Sequence, residues 1–188
     1  MADKKAEDWA KKNPWFGKDQ EMTSVAFKIH DDLVNKEKID ANSDKYYNEL
    51  DKRIKKEALE CISNGEYESV PKEFYKDKSF VLEAVKLDVD GNALQFVDET
   101  LKKDKSIILE AVIQNGLALN YADKSLKKDK SIVLEAVKQN GHTLEYADDS
   151  LKKNKSIVLE AIKENKDALR YADVSLQKDP DIIKAAKR

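Results

Sequence analysis

Pairs of adjacent lysines recur in the second half of the chain, and their spacing is the clearest hint of a ligand. The pairs are 25 residues apart: Lys102 and Lys103, Lys127 and Lys128, and Lys152 and Lys153. Stacked repeats would line these cations up as a lysine ridge, which could track phosphates with strong salt dependence. Against this, Asp or Asn follows each pair, no aromatic residues interleave for base stacking, and the net charge is −2. A solvated edge is the commoner outcome, so a nucleic-acid or polyanion site is the alternative prediction.

The cysteine and the histidines do not form a catalytic or metal-binding motif. Cys61 aligns with a column of alanines in the later repeats, which predicts a buried apolar filler and not a nucleophile. His30 and His142 share no local spacing, which a metal site would need. The segment 87–92, LDVDGN, resembles a calcium loop only at its centre and is predicted to be an insertion in an exposed turn.

Carboxylates are abundant, but they recur once per repeat. One column holds Glu83, Glu110, Glu135 and Glu160, and another holds Asp98, Asp123, Asp148 and Asp173. Recurrence favours a structural role, because an active site needs a unique constellation. The sequence has no P-loop, dinucleotide-binding glycine motif, zincin motif or nucleophile elbow. We therefore expect no enzymatic activity, no cofactor, no metal and no small-molecule substrate.

Two sets of aromatic residues differ in how often they occur. Tyr121, Tyr146 and Tyr171, with Phe96, occupy one column of the repeats, which favours packing over a ligand platform. Trp9, Trp15 and Phe16 occur once, around a turn at Asn13-Pro14. They either pack on the adjacent helix or anchor a protein partner as hot spots, and both interpretations stay open here.

The elements that position these residues repeat every 25 residues. Three copies read DKSIILEAVIQNGLALNYADKSLKK, DKSIVLEAVKQNGHTLEYADDSLKK and NKSIVLEAIKENKDALRYADVSLQK. A period of 20–50 residues is typical of stacked supersecondary units. Each copy predicts one helix of about ten residues followed by one or two shorter helical pieces. Helices this short are marginal alone in water, so their stability has to come from stacking.

The ends of the first helix in each copy follow from its flanking residues. A helix is predicted to start after Asp77, Asp104, Asp129, Asn154 and Asp179, because Asx at the N-cap accepts a free amide hydrogen. Gly116 and Gly141 are predicted to end their helices in the left-handed conformation. Asn165-Lys166 lacks that glycine, so this helix is expected to end less cleanly.

The chain is predicted to divide into an N-terminal helical docking segment, residues 1–54, and a repeat array, residues 55–188. The first part holds a charged helix over 2–12, a second over about 20–36, and a long third that is capped by Asn42 or Ser43 and reaches Asn64-Gly65. Within the array, 55–77 is a degenerate first unit and 180–188 is a half unit whose exposed end carries Lys184, Lys187 and Arg188.

The repeated pattern carries a resemblance to a known family. D-K-x-[IV]-[VI]-L-x-A-[VI]-x-x-N-G-x-x-L-x-Y-A-D-x-x-L-K-x resembles the tandem helical repeats of domain of unknown function 4116, over about residues 55–188. The resemblance implies an all-helical repeat fold and brings no catalytic residue, cofactor or partner. The N-terminal 45 residues, with NPWFG at 13–17 and Tyr46-Tyr47, are similar to a segment of bacteriophage-encoded proteins.

Composition is consistent with this interpretation. Charged residues make up 38% of the chain and nearly balance. No apolar run reaches the 18 or more residues of a spanning helix, the first residues have no signal-peptide core, and a single cysteine suits a reducing compartment. We expect a soluble, intracellular, all-α protein with an α-solenoid of about five units. Its expected role is non-catalytic binding or assembly with another protein, or self-association, possibly in a phage particle.

Overall fold

The structure, a computed structural model, describes residues 4–187, and these residues contain helices and no strand. They form two compact units, which divide between Leu87 and Asp88. The predicted N-terminal segment, residues 1–54, therefore ends inside a helix, and by compactness the division falls later. The predictions for residues 2, 3 and 188 lie outside the described residues.

The N-terminal unit contains four α-helices. They are α1 (Lys4–Lys12), α2 (Gln20–Asp31), α3 (Asp44–Ser63) and α4 (Lys78–Leu87); a π-helical turn, Asp32–Lys36, extends α2, and two 3₁₀ turns, Tyr67–Ser69 and Phe74–Lys76, precede α4. Ser43 caps α3 by accepting the Tyr46 N–H. At the other end, Gly65 has a φ of 78°, and the Glu66 N–H bonds to the Cys61 carbonyl, as in a Schellman motif. The predicted bounds of α3 are confirmed.

The C-terminal unit repeats one pattern of an α-helix followed by two short helical pieces. Its α-helices are α5 (Lys105–Gln114), α6 (Lys130–Gln139), α7 (Asp149–Lys152), α8 (Lys155–Glu164), α9 (Val174–Gln177) and α10 (Pro180–Ala186). Its 3₁₀ segments are Ala93–Gln95, Leu101–Lys103, Gly116–Tyr121, Leu126–Lys128, Gly141–Tyr146 and Lys166–Tyr171. Asp104, Asp129, Asn154 and Asp179 cap α5, α6, α8 and α10, so the predicted helix starts are confirmed.

The ends of these helices differ from the prediction. Asn115, Asn140 and Asn165 are extended, with φ between −147° and −155°, and each side chain accepts an N–H of the 3₁₀ segment that follows. One asparagine therefore ends the α-helix and caps the next piece. Gly116 and Gly141 are not in the left-handed region, so that prediction is wrong. Asn165-Lys166 ends α8 with the same geometry, so the expectation of a less clean end is also wrong.

The glycines are needed because the next repeat approaches their backbone closely. A Cβ on Gly116 would lie 2.5 Å from the Ala136 carbonyl oxygen, and one on Gly141 would lie 2.2 Å from that of Ala161. Real Cβ atoms do not come this close to backbone oxygen, so a side chain would force the repeats apart. Lys166, in the same column, is exposed.

Stacking buries one stripe of each main helix. In sequence order α5 contacts α6, α6 contacts α8 and α8 contacts α10. On α6, Ile132, Val133, Ala136 and Val137 have no exposed surface. Each joint also has one backbone hydrogen bond, for example from the Asp148 N–H to the Lys127 carbonyl. The predicted all-α repeat array is confirmed, and its interior is shared between copies as predicted for stacked repeats.

Candidate functional site

The first lysine of each pair is turned toward its own repeat. Lys102 and Lys152 have side chains 12% and 23% exposed, and their ammonium groups contact Glu99 at 2.7 Å and Asp149 at 3.4 Å. Lys127 donates from Nζ to the Asn120 carbonyl oxygen at 2.7 Å. These three cations are therefore partly withdrawn from the surface that a polyanion would contact.

The second lysine of each pair is exposed but faces a carboxylate of the next repeat. Lys128 lies 3.8 Å from Asp148, and Lys153 lies 4.0 Å from Asp173; both lysine side chains are more than 60% exposed. The hydrogen bond from Ser125 lowers the pKa of Asp123, and the charge of Lys103 lowers it further. The lysine ridge is thus a column of alternating charge. This arrangement weakens the case for polyanion binding.

A second column of charges links the helix starts. Lys105 contacts Asp129 at 2.6 Å and Lys155 contacts Asp179 at 3.0 Å. At the joint between them, Asn154 occupies the position of the aspartate, so the column that includes Lys130 lacks one negative charge. Because the paired aspartates are also N-caps, one carboxylate serves both its own helix and the preceding repeat.

The single aromatic cluster lies in the interior of the N-terminal unit. Trp9 and Trp15 are 8% and 4% exposed and meet edge to face, with ring centroids 6.1 Å apart. Phe16 lies 5.1 Å from Trp9 and is half-buried, and the Trp9 Nε1–H donates to Asp51 at 2.5 Å. Of the two interpretations left open, packing describes these contacts. Neither indole offers an exposed face to a partner.

Beside this cluster, an aromatic groove of about 200 Å³ lies between α1, α2 and α3. Phe27, 59% exposed, lies on its rim next to Phe16. His30 Nδ1 and the Tyr46 hydroxyl are 2.7 Å apart at its wall, and burial raises the pKa of Tyr46. Sequence reasoning missed Phe27, which sits one residue beyond the predicted apolar face of α2.

An apolar patch, defined as Val89, Ile113 and Leu117, surrounds Asn115 in the C-terminal unit. The three side chains are 75%, 43% and 41% exposed. The Asn115 side-chain amide donates to the Val89 and Asp90 carbonyls, which holds the insertion loop against the end of α5. Sequence reasoning missed this patch, although the repeats contain the signal. Later copies carry Lys138 and Lys163 at the column of Ile113, and His142 and Asp167 at the column of Leu117.

Comparison with known proteins agrees with the repeat geometry. A family model described as Domain of unknown function (DUF4116) matches residues 77–127, 129–177 and 154–188. This chain belongs to that family. No curated protein and no solved structure matches it significantly. The DUF4116 match begins at Asp77, so the degenerate unit at 55–77 and the similarity of the N-terminal residues to phage proteins stay predictions.

The remaining candidate groups of this DUF4116 chain serve the fold. On α3 the inward series is Leu50, Ile54, Ala58 and Ile62. Cys61 therefore lies on the flank of α3 and is half-buried, not in the small inward slot that was predicted. Burial raises the pKa of its thiol, which opposes thiolate chemistry at neutral pH. In the described part of the chain, no three His, Cys, Asp or Glu residues are grouped as a metal site would require.

The predicted insertion at 87–92 is a tight turn with a buried acid. Asp88 is 3% exposed and accepts the Ala93 N–H at 2.6 Å, while Gly91 has a φ of 74°. The tyrosine column is half-buried, and Phe96 is 36% exposed. The His142 ring meets the edge of Tyr171 at 6.0 Å, and the Arg170 guanidinium lies 4.6 Å above the Tyr171 ring. Among residues 4–187, no helix is both long and apolar enough to cross a bilayer.

Proposed function

We propose that this chain is a non-catalytic helical-repeat protein that binds another protein through the apolar patch. The exposure of Val89, Ile113 and Leu117 carries the proposal. Three neighbouring apolar side chains on the surface mark an interaction site more often than isolated ones do. Covering a side chain of this size on binding contributes up to about 1.5–3 kcal/mol.

The repeats themselves supply the argument that the patch is not needed for folding. The columns of Ile113 and Leu117 hold Lys, His and Asp in other copies with the same backbone geometry. Since the fold accepts charge at these columns, stacking does not explain why one copy presents apolar groups there. A contact outside the chain does explain it, and the array provides the rigid support that such a contact needs.

A charge-matched variant tests the proposal. Ile113→Lys with Leu117→Asp installs residues that later repeats already carry, so the free energy of unfolding should stay within about 0.5 kcal/mol of the parent. Proteins captured from a lysate of the source cells, compared by quantitative mass spectrometry, should lose their specific members with this variant. Lys138→Ala, in the column of Ile113 one repeat later, is the control and should keep them. Equal capture by parent and charge-matched variant would rule the patch out. Sedimentation of both tells whether the partner is a second copy.

Two other functions have less support. The charge alternation along the lysine ridge predicts that the protein elutes from heparin below physiological ionic strength, about 0.15 M; retention above it would revive the polyanion alternative. An enzyme would need a unique reactive grouping, whereas the carboxylates recur as caps and joints. A phage particle is one setting for the proposed binding, suggested by the N-terminal resemblance alone.

A further inference from the structure

The column that begins with Lys102 donates hydrogen bonds to backbone carbonyls, and a charge is not required there. Lys127 Nζ donates to the Asn120 carbonyl. Two repeats further on, the column holds Gln177, whose Nε2 donates to the carbonyl of Arg170, the counterpart of Asn120, at 3.1 Å. A neutral amide therefore fills the same position as the lysine ammonium.

Lys127 differs from the other lysines of its column in what lies three residues before it. Lys102 contacts Glu99, and Lys152 contacts Asp149. The matching residue before Lys127 is Lys124, which brings a like charge in place of a carboxylate. Burial lowers the pKa of Lys127, the charge of Asp123 opposes that shift, and Lys124 adds to it.

We propose that Lys127 is a covalent modification site, at which the amine is acylated by an acyl thioester. The neutral amine attacks the thioester carbon, an N–C bond forms, and the C–S bond breaks. The thiolate leaves and takes up the proton that the amine loses. The product is a neutral amide whose remaining N–H can still donate to the Asn120 carbonyl, as the Gln177 amide does to that of Arg170. Acylation also removes the repulsion from Lys124.

The repeats provide internal controls for the test. The folded chain is incubated with acetyl coenzyme A at about pH 8, and acetylation at Lys102, Lys127 and Lys152 is followed by peptide mass spectrometry. We expect Lys127 to react about threefold faster than either of the others, or more. A lower pKa raises the neutral fraction more than it lowers intrinsic nucleophilicity, by the trade-off known for thiols.

A single substitution separates local charge from simple accessibility. Lys124→Glu restores the acid that the repeat before it carries, at Glu99, and it should bring the rate at Lys127 down to that at Lys102. Circular dichroism checks that the variant is folded. Equal or slower reaction of Lys127 in the parent overturns the proposal, and so does a Lys127 rate that Lys124→Glu leaves unchanged.

Discussion

Gly141→Ala tests the geometry of the joint between repeats. The added Cβ would lie 2.2 Å from the Ala161 carbonyl oxygen and 3.1 Å from the backbone nitrogen of Asn165. Ordinary contact requires more than 3.4 Å, so the facing backbone has to retreat by roughly 1 Å. Overpacking of this kind costs about 1–3 kcal/mol, and we expect the upper part of that range because the clash is with backbone. For a chain of this length, that loss lowers the melting temperature by about 6–12 °C.

Urea and thermal unfolding, followed by far-ultraviolet circular dichroism, measure the loss against two matched variants. Gly116→Ala should lose less, because its Cβ would lie 2.5 Å from a carbonyl and its other close contacts are side chains. Lys166→Ala changes the same column where a side chain is already tolerated, so it should stay within about 0.5 kcal/mol of the parent. Equal losses at Gly116 and Gly141, or no more loss at Gly141 than at Lys166, would refute the close-approach explanation.

Three further predictions concern charge and packing. Asn154→Asp should stabilise the chain by about 0.2–1 kcal/mol by pairing with Lys130; the gain should vanish in about 1 M salt and in the background of Lys130→Ala. Trp15→Ala should destabilise the N-terminal unit by about 3–5 kcal/mol, seen as lost helical signal; unchanged helicity would contradict the burial. The Lys105 ammonium holds the pKa of Asp129 below its usual range, so its contribution, present above about pH 4, should disappear as the solution is acidified further. Asp129→Asn, which keeps a cap, should show a smaller loss of unfolding free energy between about pH 4 and pH 2 than the parent does, and equal losses would contradict this.

Features that depend on residues near one another in sequence could be predicted. An aspartate or asparagine reaches amides two and three residues ahead, so the starts of α5, α6, α8 and α10 were readable from their caps. The end of α3 at Gly65 was readable for the same reason, because a left-handed residue after a helix is a local conformation. The burial of Trp9 and Trp15 was not, since the same aromatic residues suit a core or an exposed anchor equally well.

The sequence by itself determined that the chain is a stack of short helices, because a 25-residue period with Asx caps leaves no other way to bury the recurring apolar stripe. Only the tertiary structure decided what each repeated column does. Gly141 is glycine because of a carbonyl 20 residues away, and the lysine columns are joints because each faces an acid of the next copy. Both depend on distances across the stack, and the spacing of residues within one repeat does not contain them.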